Sequence, residues 1–288
     1  PRAISLLPGA EVRLLDASKA YGGIIHLKML RVDGRDAFIG SQNFDWRAVE
    51  HIVELGVRTD AHCVVAPLGA IFAMDWALAG GVDGAAAQKV AAAMVGDANP
   101  CMARFVAADD TGTATATTTA TTTATTTATT TAATTTTNAA SAMARLSLTA
   151  TPLGWLPDAR AFELPKLVAA IDAARTSVRV TLLSMHRVDR DGQDFATLED
   201  ALVRAAERGA QVDVLLGDWA RKKPAAVADL QRLAARHGRL AVRLLHVPAA
   251  PGPEIPFARV LHAKTLVVDE RVVWIGTSNL ARGYFFAS

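Results

Sequence analysis

The sequence predicts an α/β fold, a two-repeat αβα sandwich with mixed sheets, and three observations carry that prediction. Strand-like and helix-like segments alternate through the second half of the chain. One short polar pattern occurs twice with identical spacing. The 288 residues are 51% apolar, enough side chains for substantial cores.

The elements follow from local pattern. In the second half a strand begins within residues 147–150, and residues 162–175 place Phe162, Leu164, Leu167 and Ile171 at helical spacing. Residues 177–185 form an apolar strand, 195–209 a helix closed by glycine, and 211–217 another strand. Residues 225–238 are helical and 240–247 extended, followed by a strand over 260–268. Such alternation with apolar strands implies a sheet covered on both faces. The first half holds only the later part of the same unit. Val12-Arg13-Leu14-Leu15 leads into the strand 24–32, as Val242-Arg243-Leu244-Leu245 leads into 260–268, and residues 67–79 form a closing helix. We therefore expect the first repeat over residues 1–100 and the second over 146–288, with the unit truncated at both ends. Residues 101–145 between them include a run of almost pure threonine and alanine without hydrophobic periodicity, expected to be a disordered insertion.

The repeated pattern is H-x-K-x4-D-x6-G-[ST]-x-N. Its first copy is His26, Lys28, Asp33, Gly40, Ser41 and Asn43; its second is His262, Lys264, Asp269, Gly276, Thr277 and Asn279. In an extended chain residues two apart share a face, so each histidine and its lysine project to one place. Asp33 and Asp269 fall at strand ends before turns, which suits a turn or ion-pair role. Composition excludes some classes. A formal net charge of +2, without any run of five like charges, argues against a broad basic groove for duplex DNA. No uninterrupted apolar stretch approaches a bilayer span; Asp75 breaks the nearest, residues 69–80. Cys63 and Cys101 are compatible with a disulfide or with two buried thiols. No N-x-[ST] glycosylation acceptor is present.

This doubled motif resembles the phospholipase D superfamily, whose members join two such half-sites to break phosphodiester bonds. The phrases Gly40-Ser41-Gln42-Asn43-Phe44-Asp45-Trp46-Arg47, Pro256-Phe257-Ala258-Arg259-Val260-Leu261-His262 and Gly283-Tyr284-Phe285 are similar to the animal homologues of the third and fourth type. That resemblance implies metal-independent 5′-exonucleolytic cleavage of single-stranded DNA or RNA, in a lysosome-like or endomembrane lumen. It implies no cofactor. One histidine would attack phosphorus and the other protonate the leaving oxygen, with a covalent phosphohistidine between the steps. Lys28 and Lys264 would hold the non-bridging oxygens, with Asn43 and Asn279 donating to them and Ser41 and Thr277 in support. The resemblance also implies that Glu54, on a strand over 52–57, hydrogen-bonds a catalytic histidine; its counterpart in the second repeat would fall past Ser288. Trp46 and Trp219 are candidates for stacking on bases, or else core residues. Leu280 stands where that group has tryptophan, and Leu27 and Met29 also depart from it, which leaves substrate preference open. Partners under this resemblance are single-stranded nucleic acid or phospholipid, with membrane association through a segment ahead of Pro1. A phospholipase or transphosphatidylase, and an inactive membrane-associated scaffold, are the competing readings.

Overall fold

A computed structural model describes residues 3–95, 100–105, 120–121, 142–189, 192–249 and 251–286. The first half opens with a short helix, α1 (Ala17–Tyr21), whose Asp16 side chain accepts the Lys19 amide and whose end is turned by Gly22 at φ 70°. The hairpin β1 (Met29–Val32) and β2 (Asp36–Gly40) follows. Its turn places Asp33 and Gly34 in the left-handed region, φ 52° and 68°. Helix α2 (Trp46–Glu50) is capped by the Asp45 carboxylate, which accepts from the Arg47 and Ala48 amides. Strand β3 (Gly56–Thr59) then pairs antiparallel with β2. Gly40 and Gly56 face each other so closely that a Cβ on Gly40 would stand 2.7 Å from the Gly56 Cα.

Helix α3 (His62–Ala79) is longer than expected, and by length and composition alone could cross a membrane. Here it packs into the fold, burying Val64, Val65, Leu68, Ala70 and Met74. Asp75, polar within this run, accepts a hydrogen bond from the Tyr21 hydroxyl. Helix α4 (Gly84–Met94) packs on α3 through Ala87 and Ala91. The next strands correct the expected insertion: β4 (Cys101–Phe105) and β6 (Ala142–Leu146) form an antiparallel ribbon, and β5 (Ala120–Thr121) adds to β3. The rest of the threonine and alanine run lies outside the described residues. Cys63 and Cys101 are disulfide-bonded, Cα to Cα 5.8 Å, tying α3 to β4.

In the second half α5 (Glu163–Asp172), β7 (Ser177–Leu182), α6 (Thr197–Glu207), β8 (Gln211–Gly217), α7 (Pro224–Arg236) and β9 (Leu240–Leu245) appear where the alternation places them, trimmed at their ends. The hairpin β10 (Thr265–Val268) and β11 (Val272–Ile275) and helix α8 (Arg282–Phe285) complete it. The sheet runs β11-β10-β7-β8-β9, with β7, β8 and β9 parallel, β10 antiparallel to β7, and β11 antiparallel to β10. Right-handed crossovers stepping one way along the sheet put α6 and α7 on the same face. Val178, Val180 and Leu182, with Val212, Val214 and Leu216, meet Leu167, Ile171, Leu198 and Leu202 there in one core. Burial alternates along β7, where Arg179 is exposed, so the second face is covered more thinly than apolar strands had suggested.

Residues 12–15, the sequence counterpart of Val242–Leu245 in β9, and residues 147–150, expected to begin a strand, are not strands. Residues 12–15 form no strand in the first half, because no parallel neighbour such as β8 stands beside them among the described residues. Residues 147–150 contribute only an isolated bridge from Ala150 to Phe162. The two halves are stitched beside the motif. The Val53 amide donates to Val260, while the His262 and Ala263 amides both donate to the Val53 carbonyl, at 2.9 to 3.0 Å.

Candidate active site

The motif hairpins match pair for pair. Met29 faces Ile39 in the first copy, and Thr265 faces Ile275 in the second. In both, the motif glycine amide donates to the motif lysine carbonyl: Gly40 to Lys28 at 3.3 Å, Gly276 to Lys264 at 3.0 Å. Each lysine also turns back on its own histidine, Lys28 Nζ to the His26 carbonyl at 2.6 Å and Lys264 Nζ to the His262 carbonyl at 2.5 Å. The regular strands start only at Met29 and Thr265, so the histidines and lysines sit on irregular extended chain ahead of them. That lead-in is held by side chains and by the seam at Val53 rather than by a ladder.

The seam brings the two copies together. The His26 and His262 rings lie 6.2 Å apart, centroid to centroid. Glu54, 3% exposed, reaches across from the first half and its Oε1 lies 2.7 Å from His262 Nδ1. With a carboxylate on Nδ1, the Nδ1–H form is favoured and Nε2 is left to face the site. His26 is not treated alike: its Nδ1 is buried with no hydrogen-bond partner among the described residues. Tyr284, quoted in the sequence only as part of a phrase, stands edge-on to His26 at 5.6 Å. No sequence signal assigned it to the site, since it comes from a helix after the second motif.

The electrostatics favour an anion. Burial, then the charges of Lys28 and Lys264, push His26 down to about 3, with the Thr277 backbone acting the other way. Burial pushes Lys264 down to about 7, opposed by Glu54 and reinforced by Lys28. Burial likewise pushes Lys28 down to about 8, again opposed by Glu54. Two desolvated cations beside two imidazoles make a pocket that a phosphate would neutralise.

Other expected residues divide. Asn279 is buried and its Oδ1 has no hydrogen-bond partner among the described residues, whereas Asn43 is exposed. Ser41 departs from the expected support of phosphoryl oxygens. It is fully buried, and its hydroxyl is occupied by Leu55, donating to the carbonyl at 3.1 Å and accepting the amide at 3.0 Å. It locks β2 to the segment carrying Glu54. Thr277 is half-buried, its hydroxyl 3.3 Å from that of Ser278. Asp33 and Asp269 are turn residues, both at φ 52°. Asp269 also accepts the amides of Arg175, Thr176 and Ser177 and the Thr176 hydroxyl, which holds its carboxyl well below the usual range.

Comparison with known proteins adds to this geometry. The family profile described as "Cardiolipin synthase, PLD-like domain" matches residues 3–76 and 167–287. The chain is 30% identical to "5'-3' exonuclease PLD3" of Pongo abelii over 291 residues, 97% of this chain and 53% of that protein. It is 27% identical to "Probable phospholipase D F09G2.8" of Caenorhabditis elegans, over 97% of this chain and 48% of that one. Among solved structures, NucT from Helicobacter pylori shares 20% identity with a TM-score of 0.35, covering 43% of this chain and 71% of its own. The chain thus spans about half the length of the curated relatives it matches.

Proposed function

Since the chain belongs to the phospholipase D-like family, we propose that it is a phosphodiesterase acting from the 5′ end of single-stranded DNA or RNA. The observation that carries this reading is the meeting of His26 and His262, drawn from different repeats, between two buried lysines. The exonuclease name of several relatives supports the substrate.

The asymmetry of the histidines supports the following division of roles. His26, kept neutral by burial and by both lysines, attacks phosphorus. As the P–O bond to the leaving group breaks, His262 hands its proton to that oxygen. The Glu54 carboxylate, 2.7 Å from Nδ1, holds the proton on that nitrogen and fixes the ring's orientation. Water then gives a proton to neutral His262 while its oxygen attacks phosphorus, the N–P bond breaks, and His26 returns to its starting form. Lys28, Lys264 and Asn279 bind the non-bridging oxygens in both steps.

One observation favours phospholipid hydrolysis as a second reading. A cavity of about 1010 Å³ opens beside His26, with Ile24, Ile25, Leu68 and Trp274 among its walls. A relative is also named as a probable phospholipase D. The test offers the protein, in EDTA at pH 5 to 7, an oligonucleotide with a free 5′-hydroxyl and separately a fluorescent phosphatidylcholine. Shortening from the 5′ end that His262→Ala abolishes supports the exonuclease. Lipid turnover alone moves the protein to the phospholipases, and silence on both leaves a scaffold.

A further inference from the structure

An aromatic pair with two attendant cations stands on the surface just ahead of the second motif. Phe257 lies five residues before His262, and the residue is 62% exposed. Its backbone is at φ 61°, and Arg259 two residues on is at φ 56°. Neither is glycine, so both hold a side chain in a strained region of backbone space. The loop is fixed regardless: the Arg259 amide donates to His51 at 2.9 Å, and Arg47 Nη1 donates to the Pro256 carbonyl at 3.4 Å. A strained loop is thus held by the same seam that places His262, and what it presents to solvent is a bare phenyl ring.

The ring is not isolated. Trp219, just past the end of β8, meets Phe257 edge to face at 5.6 Å. Lys222 Nζ stands 3.9 Å over the Trp219 ring, and the Arg47 guanidinium 6.0 Å over Phe257. Arg47 shares part of its charge with Asp45 at 3.5 Å, and Asp218 is taken by His246 at 2.6 Å. Lys222 makes no ion pair among the described residues. Exposed rings cost apolar hydration and strained loops cost stability, so packing gives no reason for this arrangement. Flat faces beside unspent positive charge are what a base and its phosphate require.

We propose that Phe257 and Trp219, flanked by Lys222 and Arg47, form a stacking subsite for a nucleobase of the single strand near the scissile phosphate. The subsite rests on the exonuclease reading above. It extends that reading by stating how a substrate without fixed sequence is gripped: through the face of any base, with the next phosphate on Lys222. A surface of this chemistry binds purines and pyrimidines alike.

The test compares kcat/KM for an intact oligonucleotide with that for oligonucleotides carrying one abasic nucleotide, scanned along the first few positions from the 5′ end. The wild type is expected to lose about tenfold at one position, the range that stacking on one aromatic supplies. Phe257→Ala and Trp219→Ala are expected to erase that discrimination, Phe257→Tyr to keep it, and Phe72→Ala on α3 to leave it unchanged. Because each variant is compared with itself on two substrates, partial loss of folded protein cancels. Equal discrimination in wild type and Phe257→Ala overturns the subsite while leaving the exonuclease reading intact. A wild type that shortens no oligonucleotide overturns both. If Phe257→Ala instead weakens binding to phosphatidylserine vesicles with discrimination unchanged, the rings are a membrane contact and the subsite is wrong.

Discussion

The two motif hairpins are alike in register and unlike in surroundings. β10 is paired on both edges, with β11 and with β7, whereas β1 pairs only with β2 among the described residues. Asp269 gathers three amides and a hydroxyl from the lead-in to β7; Asp33, in the same left-handed turn, has no such partner there. Behind β10 lies one continuous core, while the first half is held by small separate clusters around Leu68, Val64 and Met74. The motif's own geometry nonetheless persists in both places, glycine amide on lysine carbonyl and lysine ammonium on histidine carbonyl. Its shape is therefore local to the hairpin, and its support comes from elsewhere. Chemical difference between the copies also comes from elsewhere, because Glu54 crosses the seam to His262, while His26 Nδ1 has no hydrogen-bond partner among the described residues.

The largest expected effect breaks the comparison outright. On the proposed roles, in which one histidine attacks phosphorus and the other moves the proton, His26→Ala or His262→Ala should each lower kcat by about 10³-fold. A loss of under tenfold in either variant would show that the two copies do not share one site. Leu216→Ala, in the continuous core, should lower stability by about 3–4 kcal/mol, and Leu68→Ala, in a small cluster, by about 2–3 kcal/mol. Urea unfolding midpoints measure both, and equal costs would mean the first half is as tightly packed as the second. Glu54→Gln should reduce kcat by about 10²-fold while substrate KM changes little, because a neutral amide holds the His262 ring and its Nδ1 proton less firmly than the carboxylate does. Steady-state kinetics at pH 6 reads that split.

The smallest effect concerns the lysines. Lys264 is lowered from 10.5 to about 7, so its burial costs stability below about pH 7, and that cost fades as pH rises toward 10.5. A bound anion reverses the preference, since only the charged ammonium attracts it. Phosphate should thus raise Tm by a few degrees at pH 6 and by almost nothing at pH 9. A phosphate effect that grows with pH would mean that Lys264 does not face the anion.

The turn and the later half of each motif strand were legible in the sequence, with regular pairing beginning at Met29 and Thr265. Spacing alone places His26 with Lys28 and His262 with Lys264, and the turn aspartates follow from their position before a reversal of the chain. Elements whose pattern is periodic, α5, α6, β8 and α7, were legible to within a few residues because their burial repeats at helical or strand period. Residues 12–15 repeat the Val-Arg-Leu-Leu pattern of β9 yet form no strand, since that pattern becomes one only where another backbone offers hydrogen bonds. Residues 101–105 and 142–146 were misread for the reverse reason: composition suggested disorder, while a mutual pairing and the Cys63–Cys101 bond give them structure. Ser41 was assigned to phosphate because a hydroxyl is a plausible donor, yet tertiary packing had already spent it on Leu55.

By itself the sequence determined the identity and local shape of each half-site, for spacing within one hairpin is set by covalent geometry and turn sterics. Only the tertiary structure decided which groups meet: across the seam, Glu54 on His262 rather than His26 and Tyr284 against His26; within the second half, Phe257 beside Trp219. Those partners are separated by tens to hundreds of residues in the chain. Their contact depends on how the two sheets join at Val53, a property of the packed whole that no local pattern encodes.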